Sequence, residues 1–168
     1  NNGFLITPSG KKYSSLKVKD IVFVSLDGKY EKKYKPSSEW RFHQDIYIKK
    51  KDAQAIVHTH STNATALSVH KKPIPAFHYM VALAGGNDIK CAKYATYGTR
   101  ELSKNILKAL NNRKACLIAN HGQIAFANNL PDAFELAQEV ENLSLQYITA
   151  LKLGKPKILS IKEMNKVL

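Results

Sequence analysis

Three histidines in two short segments carry the chemistry that this chain presents. Val57-His58-Thr59-His60 continues an apolar run that starts at Ala55-Ile56. In a strand, residues i and i+2 share a face and lie roughly 7 Å apart. Two imidazoles so placed can converge on one divalent ion at Zn–N distances of about 2.0–2.1 Å. A half-buried strand can also carry two histidines without any metal, so the pair alone leaves both readings open. His121 adds a third nitrogen donor. It stands in Asn120-His121-Gly122, directly after the apolar residues 115–119, where side chains project from a sheet end and backbone can approach closely. Three histidine ligands leave one or two positions on a zinc ion open, as in catalytic sites. His43, His70 and His78 are isolated in sequence, and each reads as a packed or surface side chain.

A base is also available. Glu39 follows Ser37-Ser38 at the start of a helical segment. The free amides of a helix N-terminus and two hydroxyls make an anion site. The same residues serve equally well as helix caps and a first-turn carboxylate. Ser9-Gly10 forms a second small, donor-rich turn.

The elements that must hold these residues can be read from pattern. Gly3–Thr7 and Asp20–Leu26 are predicted strands, with Asp27-Gly28 as a hairpin turn into a further strand over Lys29–Tyr34. A helix is expected from Glu39 to Lys50, capped by Ser37 or Ser38, followed by a strand over Ala53–His60 and a helix over Thr62–Val69. Pro73-Ile74-Pro75 breaks the chain before an apolar segment at His78–Leu83, and Gly85-Gly86-Asn87-Asp88 is a turn. Thr99–Leu110 is an amphipathic helix with Leu102, Ile106, Leu107 and Leu110 on one stripe and Thr99 as cap. Strands at Ala115–Ala119 and Gln123–Ala127 flank the turn that carries His121. A long helix begins near Pro131 and ends at Gly154, and Ser160 with Glu163 has capping-box spacing for a last short helix. The succession predicts α/β layers around a mixed or largely antiparallel sheet.

Bulk properties narrow the class. A chain of 168 residues, 44% of them hydrophobic, is expected to form one domain with one core. With 26 Lys and Arg against 13 Asp and Glu, the net charge of +13 favours an anionic partner. The lysines are scattered in short groups, and no basic segment is interleaved with aromatics. A phosphorylated small molecule is therefore expected as partner, and nucleic acid is not. No stretch reaches the roughly 18 apolar residues of a membrane span, so no membrane association is expected. Cys91 and Cys116 lack metal or redox spacing and read as buried, reduced thiols. No secretory signal is visible, and a cytoplasmic location is expected.

Taken in order, the motifs resemble a known family. They are Leu5-Ile6-Thr7-Pro8-Ser9-Gly10, Pro36-Ser37-Ser38-Glu39-Trp40-Arg41-Phe42-His43, Val57-His58-Thr59-His60, His78-Tyr79-Met80 and Asn120-His121-Gly122. The series is similar to the class II aldolase/adducin-like family from Gly3 to the final helix. Gly85-Gly86-Asn87 and the run from Tyr94 to Leu102 fit its ketose-phosphate aldolase branch.

The resemblance implies a three-layer α/β/α fold with a mixed, largely antiparallel central sheet. It implies His58, His60 and His121 as ligands of one zinc ion, with Glu39 as catalytic acid/base. Ser9, Gly10, Ser37 and Ser38 would hold the substrate phosphate. Tyr79 would reach a neighbouring subunit's site as proton donor, and Tyr97 would line the pocket where that branch commonly carries Phe. A homotetramer with active sites at subunit interfaces is expected. The implied activity is reversible cleavage of L-fuculose 1-phosphate, or a similar ketose 1-phosphate, to dihydroxyacetone phosphate and L-lactaldehyde. The family's Gly-Asn-x-Ser phosphate loop belongs upstream of Gly3, so a missing N-terminal segment and an incomplete phosphate site are expected. Pentulose-phosphate 4-epimerase and methylthioribulose-phosphate dehydratase are alternatives of the same fold. Glu39 counts against the epimerase, which usually has Asp there. A non-catalytic adducin-like binding module is the alternative of another class, and the three histidines count against it.

Overall fold

Phe4 and Ile6 are buried while Leu5 is exposed, the two-residue period of a strand with one dry face. This strand, β1 (Gly3–Ile6), pairs antiparallel with β2 (Val22–Ser25), placing Phe4 opposite Val24 and Ile6 opposite Val22. The computed structural model describes residues 2–168, which divide into two compact units. The first runs up to Lys51 and includes Ala95–Lys104; the second holds Asp52–Tyr94 and Asn105–Leu168.

In the first unit, the buried faces of β1 and β2 form a small core with Leu26, Trp40 and Tyr47. Helix α1 (Trp40–Lys49) buries Phe42, Gln44 and Ile46. Gln44 can be buried because its side-chain amide donates to the Leu26 carbonyl at 2.8 Å. The helix begins one residue later than expected, and its flanking residue is Glu39 rather than a serine. Ser37 still contributes, because its hydroxyl accepts the Glu39 N–H at 3.3 Å.

No strand follows the Asp27-Gly28 turn, against expectation. Ser25 closes the turn onto Lys29, its N–H donating to the Lys29 carbonyl at 2.9 Å. Beyond it, Tyr30-Glu31-Lys32-Lys33-Tyr34 is exposed throughout and turns at Glu31, whose carbonyl accepts the Tyr34 N–H at 2.9 Å. A lysine-rich segment with no apolar face has nothing to bury against a sheet.

The second unit is built on a four-stranded sheet of β3 (Ala55–Thr59), β6 (Cys91–Ala92), β7 (Ala115–Ile118) and β8 (Gly122–Ala127). Their order is β3-β8-β7-β6, with only the β6–β7 pair parallel. The sheet is therefore mixed and largely antiparallel, as expected. All of β7 and most of β8 are buried, which explains why both read as continuous apolar runs rather than alternating ones.

Around this sheet lie α2 (Thr62–Ser68) and α4 (Leu130–Lys152), which pack against β3, β7 and β8. Ala133, Leu136, Ala137, Val140, Leu143 and Ser144 form the buried stripe of α4, at helical spacing. Asn129 caps its start, accepting the Asp132 N–H at 2.8 Å. A small antiparallel pair, β4 (Ile74–Pro75) and β5 (Asp88–Ile89), frames a 3₁₀ helix at Tyr79–Ala84. The capping box of Ser160 and Glu163 opens α5 (Ile161–Met164), whose Met164 is fully buried.

Between β6 and β7 the chain forms α3 (Arg100–Ala109), and the division between the units falls within it. Thr99 caps it as expected, its hydroxyl accepting the Leu102 N–H at 3.2 Å. Among the described residues, no helix is long and apolar enough to cross a membrane.

Candidate metal and active site

Strand register brings the histidines together. β3 lies antiparallel to β8 with His58 opposite Ile124 and Thr59 opposite Gln123. β8 pairs back onto β7 with Ile118 opposite Gly122, leaving only residues 119–121 for the turn. Asn120 takes a left-handed conformation there (φ 54°), which asparagine tolerates better than most residues. His121 thus emerges at the same sheet end as His58 and His60.

The ring centroids are 4.9 Å apart for His58 and His60, 5.0 Å for His58 and His121, and 4.7 Å for His60 and His121. One ring nitrogen of each lies within 4.8 Å of those of the other two. His58 Nε2 and His60 Nε2 are 3.1 Å apart. Two nitrogens bound tetrahedrally to one zinc would sit about 3.3 Å apart, given bonds of about 2.0–2.1 Å.

The other ring nitrogen of His58 fixes its tautomer. His58 Nδ1 is 2.8 Å from the Gln123 carbonyl oxygen. A carbonyl only accepts, so Nδ1 carries the proton and Nε2 presents its lone pair toward the cluster. Three nitrogen donors, one already oriented by a backbone carbonyl, fit a borderline divalent ion such as zinc.

Two further contacts fix the His121 turn. The Ser68 hydroxyl accepts the His121 N–H at 3.3 Å, and the Thr65 hydroxyl donates to the His121 carbonyl at 3.5 Å. A Cβ on Gly122 would stand 2.3 Å from the Thr59 carbonyl oxygen and 3.2 Å from His60. Glycine therefore allows β8 to approach β3 beside His58 and His60. Gly122→Ala is expected to cost about 1–3 kcal/mol of stability through overpacking, and to lower the metal content of the purified protein. An unchanged melting temperature with full metal content would contradict this.

Glu141, on α4, is turned onto the first turn of α2. Its carboxylate accepts the Asn63 N–H and side-chain amide at 2.8 Å each and the Ala64 N–H at 2.9 Å. Burial pushes its carboxyl up, but the amides of Ala64 and Asn63, then the Ser61 hydroxyl, outweigh this and hold it below the ordinary value of 4.5. A depressed carboxyl contributes stability that is present above its unfolded value and is lost as pH falls through the folded one. The melting-temperature gap between the wild type and Glu141→Gln is therefore expected to be full at neutral pH and to close below about pH 4.5. A gap constant down to pH 3 would refute the assignment.

In the first unit, two backbone bonds bring the small-residue turns side by side. Ser9 donates to the Lys35 carbonyl and Ser37 to the Thr7 carbonyl, both at 2.9 Å, around a bridge between Pro8 and Pro36. Ser9 and Gly10 thus lie next to Ser37 and Ser38. Gly10 has φ 74° and nothing within 4 Å of a notional Cβ, so this turn opens onto free space. A Cβ on Gly98 would stand 3.0 Å from the Ser38 carbonyl, so Gly98, next to the exposed Tyr97, backs directly onto the serine turn.

Tyr79 opens its 3₁₀ helix and is 54% exposed. His78, read as an isolated histidine, caps that helix: its Nδ1 accepts the Met80 N–H at 3.2 Å. Cys116 is fully buried, and burial pushes its thiol far up. Cys91 is only half-buried, contrary to expectation, with its thiol pushed up by burial to about 11. Sequence reasoning missed Ser61, Ser68, Gln123 and Glu141, whose roles depend on contacts made across the fold.

The family model for the class II aldolase and adducin N-terminal domain matches residues 1–148. The chain belongs to this family. The 5-methylthioribulose-1-phosphate/5-deoxyribulose-1-phosphate aldolase of Rhodospirillum rubrum is 52% identical over 167 residues, spanning 99% of this chain and 76% of that protein. The L-fuculose phosphate aldolase of Escherichia coli K12 is 50% identical over 168 residues, spanning 99% of this chain and 78% of that protein. A solved L-fuculose 1-phosphate aldolase matches with a TM-score of 0.95 at 43% identity, covering 99% of this chain and 78% of that one. The protein is a class II aldolase, a lyase with a histidine group able to bind a metal ion. Its mixed α/β fold is that of the solved class II aldolase.

Proposed function

We propose that this class II aldolase reversibly cleaves a ketose 1-phosphate, L-fuculose 1-phosphate first among them, to dihydroxyacetone phosphate and a short aldehyde. The observation that carries this reading is the convergence of three imidazoles, one of them held in a metal-ready tautomer. His58, His60 and His121 would hold one divalent ion, zinc first among them, which would supply Lewis-acid polarisation of the ketose carbonyl.

The rest is work for the chain's own residues. Ser9, Gly10, Ser37 and Ser38 bind the substrate phosphate with hydroxyls and backbone amides. In cleavage, Tyr79 of the partner subunit takes the proton of the C4 hydroxyl as the C3–C4 bond breaks. Glu39 then delivers a proton to C3, releasing dihydroxyacetone phosphate. In synthesis Glu39 removes that proton and Tyr79 protonates the aldehyde oxygen. The whole chain acts as one domain within a cytoplasmic homotetramer, and its net charge of +13 draws in the phosphate dianion.

The relatives' named substrates differ at the aldehyde end and share the phosphate-bearing three carbons. Substrate choice therefore rests on residues at the aldehyde end, Tyr97 among them. The test is a parallel assay of metal-loaded protein on L-fuculose 1-phosphate, 5-deoxyribulose 1-phosphate and 5-methylthioribulose 1-phosphate, measuring dihydroxyacetone phosphate. The highest kcat/KM is expected on L-fuculose 1-phosphate. Preference for 5-methylthioribulose 1-phosphate would overturn the substrate and keep the reaction; no product from any would overturn both.

A further inference from the structure

The three histidines occupy two places far apart in sequence, and α2 is the element that touches both. It begins directly after His60 and Ser61, and its far end holds His121 through Ser68 and Thr65. With seven residues, α2 has little stability of its own; isolated helices shorter than about 12–15 residues are marginal in water. Its N-cap, Ser61, makes no side-chain capping bond to the helix.

The hydroxyl of Ser61 is engaged elsewhere. It accepts from the Gln123 side-chain amide at 3.0 Å. Glu141 takes over the capping, accepting the backbone N–H groups of Asn63 and Ala64. The Gln123 amide also donates to the Ala137 carbonyl on α4 at 2.9 Å, while its backbone carbonyl accepts from His58 Nδ1. Bonds thus run from Glu141 on α4 into α2 at Asn63 and Ala64, and on through Ser68 and Thr65 to His121, while Ser61, the N-cap of the same helix, is tied through Gln123 to His58.

We propose that Glu141 is a positioning residue for the metal site. It holds α2 and the Ser61–Gln123 pair so that the imidazoles of His58 and His121 meet at ligand distance. Glu141 touches neither metal nor substrate; it acts on affinity for the ion. The inference rests on the reading that the three histidines bind a metal.

The test compares metal affinity of the full chain, by chelator competition with zinc and by the visible spectrum of the Co(II) form, in four proteins. These are the wild type, Glu141→Gln, Ser61→Ala and Glu163→Gln. The last variant breaks a similar carboxylate cap, on the terminal helix, remote in sequence from the ligands. Measurements are made at a temperature where circular dichroism shows all metal-free forms folded.

Glu141→Gln and Ser61→Ala are expected to weaken zinc binding about 10- to 100-fold, the usual cost of disturbing groups behind metal ligands, and to shift the Co(II) bands. Glu163→Gln is expected to leave both readouts unchanged. Lower melting temperatures for Glu141→Gln and Ser61→Ala with unchanged zinc affinity and Co(II) spectrum would reduce Glu141 to a structural cap and overturn the proposal. Wild type that takes up no metal would overturn it together with the metal reading.

Discussion

Replacing His121 with alanine is expected to strip the purified protein of most of its metal and to slow ketose 1-phosphate cleavage by roughly a thousandfold or more. A loss of this size is what removal of an ion from this site would bring. Lewis-acid stabilisation of developing oxygen charge amounts to several kcal/mol, and each 1.36 kcal/mol is a factor of ten in rate. With His121 gone, His58 and His60 are the imidazoles that remain, His58 held by the Gln123 carbonyl. Two donors on a sheet edge make a weak, open site for zinc, which takes three protein ligands in its catalytic centres. The alanine opens no clash, because the turn's backbone bonds to Ile118 and Ser68 do not involve the imidazole. Folding should survive, so lost activity reports on the metal. Elemental analysis and steady-state kinetics decide the matter. Full metal content with near-normal kcat would sink the three-histidine assignment.

Glu39→Gln is expected to separate proton transfer from metal binding. The amide keeps the size of the carboxylate and loses its basicity. General acid–base groups contribute about 10²–10⁴ in rate, and a loss in that range is expected for cleavage. The same loss is expected for exchange of the C3 proton of dihydroxyacetone phosphate with solvent deuterium, followed by NMR. Metal content should match the wild type, in contrast to His121→Ala. Exchange at the normal rate would remove Glu39 from the role of base. A variant that loses metal as well as exchange would make Glu39 a ligand instead.

The legibility of this fold in its sequence depended on the range of the forces involved. β7 and β8 are readable because four or more apolar residues in a row need a dry sheet, and this sheet provides one, while β3 shows itself by the shorter run Ala55-Ile56-Val57. Helices α3, α4 and α5 announced themselves through Thr99, Pro131 and the Ser160–Glu163 box, all local signals. β4, β5 and β6 went unseen because two residues carry no periodicity. No strand forms after Gly28 for a related reason: the turn is present, but no apolar face follows it to pair with the sheet.

The candidate site divides along the same line. His58 and His60 could be grouped from a two-residue spacing, and His121 by its place after a strand. What orients them was not visible. Nothing around Gln123 or Glu141 in sequence marks one as a partner of His58 and the other as the cap of α2. Both roles exist only once β8 lies beside β3 and α4 beside α2. The serine turn at Ser37-Ser38 was legible as polar, yet its pairing with Ser9 depends on a bridge between two prolines.

The 65-residue separation between His58 and the carbonyl that orients it has a consequence for how the protein is made. During synthesis His58 and His60 leave the ribosome long before His121, Gln123 or α4 exists. A two-histidine strand awaiting its partners presents no selective pocket and discriminates poorly among divalent ions. Were the three histidines to hold an ion as proposed, its choice would belong to the finished chain, after β8 has inserted next to β3. On the proposed metal reading, uptake of the ion would mark completed folding, and a chain stalled before β8 is expected to emerge empty.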